Sequence, residues 1–232
     1  MKLQNLLSHL IFITFFFFTI YLMNIINNLI RGNRLFKKYH LDEFKEGLDY
    51  SIINGQKPEV LLISCCDSRV TTDFMFGNKP GDLFVVRNIG NFVPPHQSTS
   101  DFFSVAAAIE YAVNILEVSN IIVCGHSHCG ACESLYKDIP DENENIKKWL
   151  QISEPVKHIT LKDEKSFKTK DELYRATEKN SIVYQLQNLL TYPIVKQKLE
   201  QNKLTIHGWY YNLSDGSLQA YNEKENIFEE IE

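Results

Sequence analysis

Two short segments concentrate the residues that can do chemistry. The first reads Cys65-Cys66-Asp67-Ser68-Arg69, and the second Gly125-His126-Ser127-His128-Cys129-Gly130. Both offer soft metal ligands. Two thiolates and one imidazole can bind zinc and leave one of its four tetrahedral positions for water or substrate. The commonest fate of a free cysteine is that of a buried small hydrophobe, and Cys124, inside an apolar run, fits that description. For Cys65, His126 and Cys129 it is set aside, because two separate strand ends bring the same ligand chemistry.

The elements that must position these residues read as follows. Residues 34–53 form an amphipathic helix, with Leu35, Phe36, Tyr39, Phe44 and Leu48 on its apolar side. Val60-Leu61-Leu62-Ile63-Ser64 is a continuous apolar run, as a strand buried on both faces requires. Asp82 to Arg87 is a second run behind a Pro80-Gly81 turn, Ile121 to Cys124 a third, and Leu204 to Leu213 a fourth. Residues 102–118 are Ala-rich and apolar almost all round, which predicts a buried helix. A charged region, 137–179, precedes a helix around Ile182, Val183, Leu186, Leu189 and Leu190. Strands alternating with helices predict an α/β fold: a mostly parallel central sheet flanked by helices, with an N-terminal helical arm. Ligands in such sheets bind beyond the carboxyl ends of strands, which is where both chemical segments fall.

The composition sets outer bounds. The 232 residues, 44% hydrophobic, suffice for one domain with a full core, and 15 Phe with 11 Tyr exclude a globally disordered chain. A net charge of −5 leaves no electrostatic footprint for nucleic acid. Five cysteines are an odd count, so a complete disulfide framework is impossible, and they read as thiols or metal ligands in a reducing compartment.

The charges are uneven. Among residues 1–30 only Lys2 is charged, and the stretch 10–23 reads LIFITFFFFTIYLM. We read 1–30 as a hydrophobic N-terminal extension: a membrane anchor through residues 6–26, a secretory signal, or a mis-assigned start with translation beginning at Met23. Arg31, Arg34, Lys37 and Lys38 follow it, so an anchor would keep the downstream domain in the cytoplasm. Residues 31–232 read as a single catalytic domain.

The motifs together resemble the beta-class carbonic anhydrases. The match is C-x-D-S-R at Cys65, Asp67, Ser68 and Arg69, then H-x-x-C at His126 and Cys129. The phrase FVVRNIGN at Phe84 to Asn91, Pro94-Pro95, Gly55-Gln56-x-Pro58, AAIEYAV at Ala107 to Val113 and His207-Gly208-Trp209 extend it over roughly Leu35 to Ala220. Nothing in residues 1–22 belongs to the pattern.

The resemblance implies Cys65, His126 and Cys129 as ligands of one Zn2+ per chain, and Asp67 with Arg69 as the catalytic dyad. Zinc-bound hydroxide would attack carbon dioxide to give bicarbonate and a proton. Asp67 would orient that hydroxide, while Arg69 holds the carboxylate ionised and turned from the metal. The resemblance further implies a substrate contact from Gln56, reaching across a subunit interface, while the Gly130 amide, at an apparent helix start, is placed to bind a bicarbonate oxygen. The resemblance also implies a homodimer or larger homo-oligomer, with the arm at 34–53 wrapping a partner; the free thiols and the basic residues after the extension point to the cytoplasm.

Several neighbours carry other readings. Cys129 and Cys132 form a C-x-x-C that also fits a redox pair, or a four-thiolate site with Cys65 and Cys66. Adjacent cysteines are awkward on one tetrahedral metal, however, and that site leaves His126 idle. Cys66 reads as a spare thiol, His128 as a turn residue and His207 as structural. A subgroup of the family has an inhibitory bicarbonate pocket of Trp, Arg and Tyr. Here Leu62 stands at the Trp position, with Arg87 and Tyr211 available for the others, so the active site is expected to stay open at neutral pH. Two alternatives remain: a hydrolase of carbonyl sulfide or carbon disulfide on the same scaffold, and a non-catalytic zinc-stabilised binding subunit.

Overall fold

The computed structural model describes residues 24–96 and 103–231. The chain divides into two compact units, the first ending at Asn54 and the second beginning at Gly55. Within the first, the described residues form helix α1 (24–39) and helix α2 (Leu41–Asn54), separated by a turn at His40. The sequence predicts one helix over 34–53; the turn divides it. No residue of α2 is buried, and Ile26, Leu29, Phe36 and Tyr39 of α1 are exposed. Apart from 24–26, the segment 6–26 raised as a membrane anchor lies outside the described residues. Among the described residues, no helix is long and apolar enough to cross a membrane.

The second unit is an α/β sheet. In chain order it contains β1 (Val60–Cys65), α3 (Thr72–Phe76), β2 (Leu83–Asn88), α4 (Phe103–Glu110), β3 (Asn120–His126), α5 (Gly130–Ser134), α6 (Glu144–Leu150), α7 (Glu154–Leu161), α8 (Lys170–Leu189), α9 (Pro193–Glu200), β4 (Thr205–Tyr211), β5 (Leu218–Asn222) and β6 (Ile227–Glu230). The strand order is β2-β1-β3-β4-β5-β6. The first four strands run parallel, and β5 and β6 close the edge as an antiparallel hairpin. The buried helix expected at 102–118 is α4 followed by a π-helical turn, Tyr111–Ile115.

Strand alternation divides the apolar run between two cores. Leu61, Ile63, Ile121 and Val123 join the larger one with Ile109, Ile182, Leu189 and Tyr192. Leu62, Ile122 and Cys124 pack on the other side with Phe76, Leu83, Trp209 and Tyr211. Continuous hydrophobicity in β1 and β3 follows from burial on both faces.

Helix α8 starts where Thr169 caps it, its side chain accepting the Glu172 amide at 3.2 Å. The helix crosses β3 and β4 closely because two glycines allow it. A Cβ at Gly125 would lie 2.8 Å from Ile182 Cδ1, and one at Gly208 2.9 Å from Ile182 Cγ2. From this seat Gln185 accepts the Val93 amide and Asn188 donates to the Val93 carbonyl, each at 2.8 Å. The helix thereby clamps the loop after β2.

Candidate metal centre and active site

Cys65 is the last residue of β1 and His126 the last of β3, and the two strands are adjacent and parallel. Their carboxyl ends bring the chemical segments together. Backbone pairing secures the second one: the Ser127 amide donates to the Tyr211 carbonyl at 2.9 Å, and Ser127 Oγ accepts the Leu213 amide at 2.8 Å. One ligand atom from each of Cys65, His126 and Cys129 lies within 4.8 Å of the other two, and all three residues are buried.

The imidazole has a defined tautomer. His126 Nδ1 lies 2.8 Å from the Ser127 carbonyl, which only accepts, so Nδ1 carries the proton. Nε2 is then a bare lone pair, buried and without a hydrogen-bond partner. Buried polar atoms are rarely left so. A soft cation would supply the missing partner, and two sulfurs with one imidazole nitrogen are a donor set zinc favours.

The thiols are prepared unequally. Cys65 Sγ accepts the amides of Asp67 and Gly90, each at 3.4 Å. Gly90 can reach it because its φ is +78° and a Cβ there would strike Phe92 Cε1 at 2.6 Å. Without a cation, the hydrogen bond to Cys129 and burial push the Cys65 thiol up to about 12. Cys129 is raised as well, first by its contact with Cys132. A bound cation reverses this by deprotonating its thiols. Burial alone pushes Cys124 up to about 12, in keeping with an inert core thiol.

Asp67 stands beside this group but outside it, facing Arg69. Arg69 Nε donates to Oδ1 at 2.9 Å and Nη2 to Oδ2 at 2.8 Å, while the Arg69 amide adds a third bond to Oδ1 at 3.0 Å. The Arg69 bond holds the Asp67 carboxyl well below the usual carboxylate range, against the opposing effect of burial. Arg69 Nη2 also donates to the His128 carbonyl at 2.9 Å, linking the two ligand-bearing loops. His128 is exposed, with φ +58°.

The other candidates are dispersed. Gly130 opens α5 next to the group, with neither a positive φ nor any atom within 4 Å of an added Cβ. Gln56 is exposed ahead of β1, at the end of that strand away from the ligands, a run of roughly 17 Å at the usual rise per residue. Cys66 is exposed and Cys132 is buried beside Cys129. Cys132 is not in the ligand group.

Sequence reasoning missed two supports. Arg87, considered only for an anion pocket, donates from Nε to the Cys65 carbonyl at 2.9 Å and from Nη2 to the Asp67 carbonyl at 2.8 Å. Glu178 accepts the Cys129 amide on Oε1 at 2.8 Å and the Tyr210 hydroxyl on Oε2 at 2.9 Å. Burial pushes its carboxyl up to about 7, against the pull of those donors and of Arg175. The signal was available: Glu178 occupies the stripe that continues through Ile182, Leu186 and Leu189, where only a partnered carboxylate is tolerated.

Comparison with known proteins agrees with this geometry. A family model described as carbonic anhydrase matches residues 60–218. A carbonic anhydrase of Helicobacter pylori is 39% identical over 203 residues, covering 85% of this chain and 90% of its own. The solved structure of the beta-carbonic anhydrase CcaA superposes with a TM-score of 0.83 at 33% identity, over 90% of this chain and 93% of that one. One of two tetrameric beta-carbonic anhydrases from Sordaria macrospora gives a TM-score of 0.76 at 26% identity, over 85% and 96%. With its ligand group at the sheet's carboxyl edge and these similarities along most of its length, the chain belongs to the beta-class carbonic anhydrase family.

Proposed function

We propose that this chain catalyses the reversible hydration of carbon dioxide to bicarbonate and a proton, with one zinc ion held by Cys65, His126 and Cys129. The observation that carries the reading is the buried, unpartnered Nε2 of His126 within 4.8 Å of two thiols, next to an Asp67 turned toward Arg69. Zinc supplies Lewis acidity, which makes a water nucleophilic near neutral pH.

The protein's own groups do the rest. Asp67 Oδ1 takes two donors from Arg69 and Oδ2 takes one, so Oδ2 keeps a lone pair for a hydrogen bond from the attacking water. A carboxylate held so far down is a poor proton store; its task is orientation, and the proton passes to solvent. Arg69 acts through Asp67 by preventing the carboxylate from swinging onto the metal. A Cβ added at Gly130 would meet no atom within 4 Å, and we assign its amide to a substrate oxygen. Gln56 cannot reach the site of its own chain along β1, so we assign it to the site of a second copy.

That assignment calls for a homo-oligomer, a dimer or larger. The exposed apolar residues of α1 and α2 support one, as does similarity to a protein described as tetrameric. We assign residues 31–232 to one catalytic domain acting in the cytoplasm, a compartment suited to five free thiols. The intact Asp67–Arg69 pair favours catalysis over a binding role, and the family match favours carbon dioxide over its sulfur analogues.

The test is stopped-flow carbon dioxide hydration by the full chain, with zinc content measured on the same sample. We expect rapid turnover with one zinc per chain. Zinc without turnover overturns the reading.

A further inference from the structure

We infer that Glu178 is a positioning residue for the metal centre: its buried carboxylate fixes the backbone of Cys129 and through it the place of that thiol. The inference rests on the reading of Cys129 as a ligand. It begins from an accounting question. The Cys129 side chain belongs to a chain segment, Ser127 to Cys129, that is neither strand nor helix. Its residue is 1% exposed, so its amide needs an acceptor inside the protein. That acceptor is Glu178 Oε1 at 2.8 Å.

Three elements converge on this one carboxylate. Arg175, one turn earlier on α8, places Nη2 at 2.9 Å from Oε1. Tyr210 of β4 donates its hydroxyl to Oε2 at 2.9 Å. The Cys129 amide comes from the loop after β3. Glu178 itself is 2% exposed, so these three groups stand where water would. The Cys129 amide and the Tyr210 hydroxyl donate, and the Arg175 guanidinium is a cation at ion-pair distance, which is why a carboxylate suits the place: an amide side chain would set its own N–H groups against one of them. The amide nitrogen of Cys129 is three covalent bonds from its Sγ. A shift of the loop therefore carries the sulfur with it, away from Cys65 Sγ and His126 Nε2. Gly125 and Gly208 admit α8 to the distance at which this contact forms. Glu178 touches no ligand atom, so its influence is exerted wholly through Cys129.

The test measures zinc affinity of the full chain by competition with a chromophoric chelator, for the parent, Glu178→Ala, Glu178→Gln and Tyr210→Phe. Thermal unfolding of each metal-free protein is followed in parallel. Loss of a partner that orients a ligand lowers metal affinity by about 10- to 100-fold, and we expect that of Glu178→Ala. Glu178→Gln keeps a carbonyl for the Cys129 amide and should lose less. Tyr210→Phe, which leaves the amide bond in place, should lower stability with little change in affinity. The thiolate-to-cobalt charge-transfer band of cobalt-loaded protein supplies a readout that general destabilisation does not move. It should shift in the Glu178 variants and stay put in Tyr210→Phe. Should Glu178→Ala fail to fold, Glu178→Gln against Tyr210→Phe decides by the same two measurements. Parental affinity and an unmoved band in a folded Glu178→Ala, or in Glu178→Gln where the alanine variant does not fold, overturn the inference alone. A parent chain that binds no zinc overturns the ligand assignment and this inference with it.

Discussion

Arg69 grips Asp67 at both carboxylate oxygens, Nε on Oδ1 at 2.9 Å and Nη2 on Oδ2 at 2.8 Å, and with the same Nη2 holds the His128 carbonyl. The arrangement needs a planar fork, which a lysine ammonium cannot reproduce. Arg69 is half exposed, so its worth lies in geometry more than in stability. Arg69→Lys should retain zinc and fold but lose turnover. Asp67→Asn should lose about 100-fold in kcat, the scale on which misorienting a reacting group costs rate. Stopped-flow rates paired with metal analysis check both.

Leu62 bears on regulation by bicarbonate. It is buried and packs with Trp209 and Tyr211, so no indole N–H exists at its position to hold a buried anion. Arg87, the remaining cation of the expected pocket, is engaged by the Cys65 and Asp67 carbonyls. Activity near pH 7 should therefore decline smoothly as bicarbonate is added, without sigmoidal closure. Initial rates against bicarbonate concentration test this, and a crystal at neutral pH with Asp67 on the metal would contradict it.

His207 should impose a pH dependence on folding. Burial lowers its pKa from 6.5, while Nε2 donates to Asn120 Oδ1 at 3.0 Å. The unfolded chain then binds more protons than the folded one just below pH 6.5, so stability rises with pH through that window. The contribution is complete above 6.5 and is lost as pH falls toward the lowered folded value. In His207→Gln this part of the slope should vanish, as denaturant midpoints at several pH values will show.

Gly208→Ala tests the seating of α8. The added methyl would meet Ile182 at 2.9 Å and Leu186 at 3.0 Å, and overpacking of that kind costs about 1–3 kcal/mol. A lower denaturation midpoint accompanied by weaker zinc binding is expected, because the same helix carries Glu178. An unchanged midpoint would show that the helix yields freely.

Much of this was legible in the residues. Doubly buried strands betrayed themselves as unbroken apolar runs, and the rule placing ligands at strand carboxyl ends led to Cys65 and His126. What escaped notice was polar. The N-terminal half of α8 lies in a stretch whose charges mask its periodicity, so the sequence shows a helix around Ile182 although it begins at Lys170. Glu178 went unnoticed with it. The β5–β6 hairpin escaped for a related reason: its residues are half-buried or exposed, and without a deeply buried face a strand leaves little alternation to read. Arg87 looked like an anion ligand because a sequence displays a guanidinium but not the backbone carbonyls it will meet.

His128 shows how little of a residue a site can require. Its imidazole is exposed, while its carbonyl, turned toward Arg69 by a φ of +58°, joins the two ligand loops. What natural variation must preserve at this position is therefore a backbone shape and not a ring. Glycine, which adopts that φ without steric penalty, and asparagine, which tolerates it, should be interchangeable there, whereas valine or isoleucine should be purged. Mutational tolerance at position 128 will be ordered by backbone preference, with imidazole chemistry irrelevant to the ranking.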